Sequence, residues 1–251
     1  MAMTIAVSGK GGSGKTTLAA MITRFLLEQP DRKSIVVVDA DPNACLGLSL
    51  GVKPEVTVAD IREEARAKPP SNAGMDKVRS VEYGIQQAIV EAKGFDLLTM
   101  GRPEGPSCYC AVNNMLRKFL DQLSSQYDFV IIDNEAGMEH LSRRTTNNVD
   151  LLCIVAEPNT IGTLTAQRIF DLSKKLPIIV KKTGIVWNRA ENDKKIEGID
   201  NFGLIPYDKT VFDASMLDKT VFDLENDSLA FSAAKKIFED ILVSNSRAAK
   251  P

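Results

Sequence analysis

The sequence predicts a doubly wound α/β fold, a mostly parallel sheet flanked by helices. Three observations carry this reading. Short apolar runs rich in β-branched residues recur along the chain, the pattern of strands buried on both faces. Segments with apolar residues at helical spacing fill most of the gaps between them. The first two strands and the helix between them bracket a glycine-rich turn, giving strand, helix, strand within the first forty residues.

The elements follow in order. Met3 to Ser8 is the first strand, and Ile35 to Val38 the second. Between them, Thr17 to Glu28 places Leu18, Met21, Ile22, Phe25 and Leu26 on one helical face. Further strands are expected at Phe95–Met100, Phe129–Asp133, Leu151–Ala156 and Gly184–Trp187, with a short one at Gly203–Ile205. The segment from about Glu63 to Lys93, centred on Lys68-Pro69-Pro70-Ser71-Asn72-Ala73-Gly74, reads as an exposed, mobile insertion. Asn113 to Leu123 is a helical run. The last strong helix, Ser228 to Val243, has apolar residues at 229, 231, 234, 237, 238, 241 and 242, and residues 244–251 read as a flexible tail. Residues 1–251 are expected to form one domain.

Composition excludes several classes. With 251 residues the chain hides enough surface for a self-sufficient core without disulfides. Lys and Arg number 31 against 33 Asp and Glu, a net charge of −2 that lacks the cationic footprint of nucleic-acid binding. No apolar run approaches the ~20 residues of a membrane helix, and Ala2 to Val7 is too short for a signal peptide. A cytoplasmic protein with neither nucleic acid nor membrane as partner is expected.

Gly9-Lys10-Gly11-Gly12-Ser13-Gly14-Lys15-Thr16 fits G-x-x-x-x-G-K-[ST] and falls between a strand and a helix, where the mechanism requires it. Glycines let the backbone curl until successive N–H groups face an anion, and the helix N-terminus adds partial positive charge. Lys15 is placed to reach the β/γ-phosphates and Thr16 to hold Mg²⁺. The bland alternative is a glycine-rich turn with no ligand.

An ordinary P-loop needs no second lysine at Lys10. Lys10-Gly11-Gly12-Ser13-Gly14-Lys15-Thr16-Thr17 resembles the deviant Walker A motif of the family that includes MinD, ParA, the nitrogenase iron protein and the Mrp-like ATPases. The resemblance implies a P-loop NTPase of the SIMIBI type that binds ATP and ADP, with Lys10 crossing a dimer interface and ATP held between two copies. Otherwise Lys10 is a solvated loop charge. Val38-Asp39-Ala40-Asp41-Pro42 looks like that family's switch I, so Asp41 is expected to orient or deprotonate the attacking water, and Asp39 to support the magnesium shell. An aspartate-rich turn is the plain alternative. Ile131-Ile132-Asp133-Asn134-Glu135-Ala136-Gly137 resembles its Walker B and switch II element, which implies Mg²⁺ bound through water to Asp133, and Gly137 following the γ-phosphate. Glu135 stands where many members carry Pro. Trp187-Asn188-Arg189 and Ile205-Pro206-Tyr207-Asp208 resemble the base-side segments, so Asn188, Arg189, Pro206, Tyr207 and Asp208 are candidate adenine contacts, ATP being expected over GTP. An Asn after a strand is otherwise a common turn former. Lys10, Lys15 and Asp41 form the implied catalytic set.

Four cysteines in a cytoplasmic chain suggest thiols. Cys153 lies within an apolar strand and reads as a core side chain, and Cys45, near switch I, reads as packing, with a bystander as the alternative. Cys108-Tyr109-Cys110 differs: two thiols one residue apart are either an incidental pair or half of a four-coordinate site for zinc or nickel. The same pair on a second copy across a two-fold axis is the simplest other half. Ser107-Cys108-Tyr109-Cys110, together with Asp133 to Leu141, is similar to the CooC-type nickel-insertion ATPases, including their AcsF-like members. That resemblance implies a homodimer binding Ni²⁺ or Zn²⁺ through Cys108 and Cys110. Its client would be a nickel enzyme, carbon monoxide dehydrogenase or acetyl-CoA synthase. His140, the only histidine, is either a metal ligand or an orienting residue beside switch II. The rival classes are a MinD/ParA-type positioning ATPase, against which the short polar tail argues, and an iron–sulfur reductase like the nitrogenase iron protein.

Overall fold

A computed structural model describes residues 2–31, 33–67, 83–101, 126–135 and 148–248 of the chain. The strands are β1 (Met3–Gly9), β2 (Ile35–Asp39), β3 (Ile89–Glu91), β4 (Asp96–Thr99), β5 (Phe129–Asp133), β6 (Asn148–Ala156), β7 (Ile179–Asn188) and β8 (Asp200–Ile205). The helices are α1 (Lys15–Leu27), α2 (Leu46–Ser49), α3 (Val58–Ala67), α4 (Thr160–Lys175), α5 (Lys209–Met216) and α6 (Leu229–Ala248), with a 3-10 turn at Val221–Asp223. The strands form one sheet in the order β3-β4-β2-β5-β1-β6-β7-β8. Pairing is parallel except between β3 and β4. The doubly wound class is the one expected from sequence.

Side chains of β1 alternate between two cores. Ile5 and Val7 pack with Leu18, Met21, Ile22 and Phe25 of α1 and with Phe231 and Phe238 of α6. Ala6 points the other way, to Ala166, Ile169 and Phe170 of α4 and to Trp187. Burying each large apolar side chain contributes about 1.5–3 kcal/mol. Trp187 is fully buried, and its indole Nε1 finds no acceptor among the described residues. Arg24 interrupts the apolar face of α1 without breaking the core. It donates to the carbonyls of Val221 and Leu224 at 2.8 and 2.7 Å and stacks 4.0 Å over the Phe231 ring.

Three expectations are corrected. The segment 63–93 is not wholly an exposed insertion: Ile85 and Ala88 are buried, and Ile89–Glu91 forms the antiparallel edge strand β3. A strand of three residues is too short to show a period; it turns at Gly94 (φ 94°) into β4. The final helix starts at Leu229 and runs to Ala248, five residues past the expected end. Strand β7 extends back to Ile179, its outer half carrying Lys181 and Lys182 among partly exposed positions. The helical run at 113–123 lies outside the described residues.

Candidate functional site

The glycine-rich loop joins the C-terminal end of β1 to α1. Gly14 caps the helix in the left-handed region (φ 97°) with no side-chain acceptor, so the first-turn N–H groups stay open to an anion. Gly12 shares that backbone region (φ 76°). Lys15 is buried, its Nζ held 3.4 Å from the Lys10 carbonyl, while Lys10 and Gly11 are exposed at the loop's tip.

Sheet register brings the acids to this loop. Asp39 ends β2, Asp133 ends β5, and the two are direct partners across parallel strands, with Asp133 also paired to Val7 of β1. Thr16 Oγ1 donates to Asp133 Oδ2 at 2.6 Å. The other oxygen, Asp133 Oδ1, is buried and finds no donor among the described residues. A buried carboxylate oxygen beside a P-loop threonine offers the hard oxygen donors that Mg²⁺ prefers, so these residues fit the ion. Burial pushes the Asp133 carboxyl up to about 7, Asp39 adding to it against the Thr16 hydrogen bond. Asp39 is likewise pushed up to about 6 by burial, although it accepts from Leu46 N–H at 2.9 Å and Asp41 N–H at 3.2 Å. These bonds make Asp39 the anchor of the following turn. Asp41 is half-buried, and its Oδ1 accepts from Asn43 N–H at 2.9 Å and Asn43 Nδ2 at 2.8 Å.

Across the loop, a cleft of about 410 Å³ is lined by Gly14, Thr17, Met21, Asn188, Arg189 and the Pro206–Asp208 segment. Its size suits a nucleoside, being within the usual ~300–1,000 Å³ of small-molecule sites. Asn188 Nδ2 donates to Ser13 O at 2.7 Å, and Arg189 Nη2 to Gly12 O at 3.0 Å. Asp208 lines the cleft, but its carboxylate is engaged by Thr210, Ser228 and Ala230 at the N-terminal ends of α5 and α6. Glu157, just past β6, pairs with Arg189 at 2.9 Å; no motif pointed to it, although the following Pro158-Asn159-Thr160 reads as a helix start.

Of the cysteines, Cys153 is buried in β6 as expected, and burial pushes its thiol up. Cys45 is not a packing residue. It is exposed, and partial desolvation together with the carboxylates of Asp39, Asp41 and Asp133 raises its thiol. Its neighbour Leu46 takes the buried place instead. Cys108, Cys110, Gly137 and His140 lie outside the described residues. Among the described residues no cluster of three or more His, Cys, Asp or Glu is placed to hold a metal ion. No helix among them is long and apolar enough to cross a membrane.

Residues 4–221 match the CbiA family, described as the CobQ/CobB/MinD/ParA nucleotide binding domain. The chain belongs to this family. It is a P-loop ATPase, and ATP, ADP and Mg²⁺ are the ligands expected of a member. An ATP-binding protein of Methanocaldococcus jannaschii is 40% identical over 96% of this chain and 98% of its own length. The carbon monoxide dehydrogenase accessory protein CooC of Rhodospirillum rubrum is 32% identical over 88% of this chain and 90% of its own. In fold, the septum site-determining protein MinD of Pyrococcus horikoshii, solved with Mg-ADP, superposes with a TM-score of 0.70 at 22% identity, with both chains covered in full.

Proposed function

We propose that this chain is an ATP-dependent metal-insertion factor, a homodimer that loads nickel into a client enzyme, carbon monoxide dehydrogenase or acetyl-CoA synthase. The observation that supports it best is the CooC relative, similar over 88% of this chain, joined to the Cys108–Cys110 pair that a simple nucleotide switch does not need. The P-loop N–H groups and Lys15 hold the phosphates, and Thr16 and Asp133 hold Mg²⁺. Bound there, the ion supplies positive charge to the phosphate oxygens. Asp41 orients the attacking water through Oδ2, the oxygen that Asn43 leaves open. Asn188, Pro206 and Tyr207 face the base, whereas the Arg189 guanidinium is engaged by Glu157 and the Gly12 carbonyl; Lys10 reaches the nucleotide of the second copy. Nucleotide-driven pairing brings together two half-sites of two sulfurs each, with nickel, or zinc in its place, as the cargo.

Equilibrium Ni²⁺ titration with and without a non-hydrolysable ATP analogue tests this. One ion per two chains is expected with the analogue, and none after Cys108→Ser with Cys110→Ser. Nickel binding that survives the double variant overturns the ligand assignment. Nucleotide-dependent co-sedimentation with anionic vesicles or DNA, without metal binding, makes the chain a positioning ATPase. A brown, visibly absorbing dimer after anaerobic purification makes it an iron–sulfur reductase.

A further inference from the structure

Three carbonyls of the P-loop are held by named donors. Lys10 O accepts from Ser13 N–H at 3.1 Å and Lys15 Nζ at 3.4 Å, Gly12 O from Arg189 Nη2 at 3.0 Å, and Ser13 O from Asn188 Nδ2 at 2.7 Å. A trans peptide points its carbonyl and the next N–H in opposite directions. Holding Ser13 O therefore aims the Gly14 N–H, while holding Gly12 O fixes the peptide whose N–H, that of Ser13, closes the loop onto Lys10 O.

Arg189 holds its carbonyl at a conformational cost. Its φ is 53°, a region that long L side chains rarely occupy and that persists only where the surroundings over-determine it. Both arms of its guanidinium are in use, since Nη1 donates to Glu157 Oε1 at 2.9 Å while Nη2 holds Gly12. Glu157 is itself fixed from behind: its Oε2 accepts from Asn159 Nδ2 at 3.1 Å, and Asn159 Oδ1 caps α4 by accepting from Gly162 N–H at 2.8 Å. The register of β6 against β1, Val155 beside Gly9, sets Glu157 level with the loop.

We propose that Glu157 and Arg189 are positioning residues of the ATPase, a salt-bridged latch that holds the tip of the P-loop in its phosphate-binding shape. The planar guanidinium suits this role, because its two Nη atoms take the two acceptors at once, whereas a lysine must serve both from a single Nζ. The latch concerns the nucleotide site alone and stands whatever the chain's cargo is.

The test is steady-state hydrolysis of Mg-ATP and equilibrium binding of Mg-ADP, with thermal midpoints recorded in parallel. Arg189→Gly removes both hydrogen bonds and at the same time relieves the left-handed backbone, so fold stability is retained. It is expected to raise the Mg-ATP KM and the Mg-ADP Kd by roughly tenfold, the scale of a lost charge-assisted hydrogen bond, with a smaller change in kcat. Arg189→Lys is expected to recover part of that loss. Glu157→Gln is expected to weaken binding by about threefold in the native background and to add nothing in the Arg189→Gly background. The latch is overturned if Arg189→Gly leaves both constants within about twofold of the native protein. It is equally overturned if the two substitutions multiply as independent losses, or if all of the loss tracks a fall in thermal midpoint.

Discussion

Asp208 and Asp133 are two carboxylates at one site with opposite electrostatics. Burial alone would raise Asp208, but hydrogen bonds from the Thr210 side chain and N–H, the Ser228 hydroxyl and the Ala230 N–H outweigh it and bring the group down to about 2. The folded value lies below the ordinary ~3.9, so this stabilisation is present above pH ~4 and is lost as pH falls toward 2. Asp208→Ala is expected to cost about 2–3 kcal/mol in urea denaturation at pH 7, a difference that shrinks below pH ~4. Asp133 runs the other way. Its carboxyl is raised to about 7, and that of Asp39 to about 6, so between pH ~4 and these values the folded chain holds more protons than the unfolded one. Stability without ligand is therefore expected to fall as pH rises through that window. Mg-ADP, whose ion needs the ionised carboxylate, is expected to add more to the thermal midpoint at pH 8 than at pH 5. Asp133→Asn is expected to flatten both trends in thermal scans.

At the scale of elements, the join between β1 and α1 is the most constrained. A Cβ on Gly14 would sit 2.2 Å from Asn188 Nδ2, and the φ of 97° is unfavourable for any L side chain. Gly14→Ala is expected to cost about 1–3 kcal/mol and to displace Asn188 from Ser13, with loss of Mg-ADP binding by calorimetry. This join was legible in sequence because its signals are local: an apolar strand, the glycine pattern and the helical spacing of Leu18 to Leu26. Arg24 was not, since its partners Val221 and Leu224 lie 197 and 200 residues away. Glu157 was missed for the same reason, taking its role from an arginine 32 positions on. Strand β3 was missed because three residues carry no period. Asp208 sat in a segment read as base-contacting, and only the fold shows its charge engaged by two helix starts.

For the molecule as a whole, nucleotide handling and metal handling are expected to separate. Lys15 starts the helix that follows β1, and Asp39 and Asp133 end the central strands β2 and β5, whereas the cysteine pair belongs to another stretch of chain. Lys15→Ala is expected to abolish ATP binding, measured by calorimetry, while Cys108→Ser with Cys110→Ser keeps most of the intrinsic ATP affinity. The parallel order of the sheet was readable because strands buried on both faces leave unbroken apolar runs. How far β7 and α6 extend was not, because their ends are polar and are held by pairing and packing. Trp187 is the chain's single tryptophan, sealed in the core one residue before Asn188. The protein thus carries one native indole fluorophore next in sequence to a residue of the nucleoside cleft, and nucleotide binding is expected to change its ultraviolet emission without any attached dye.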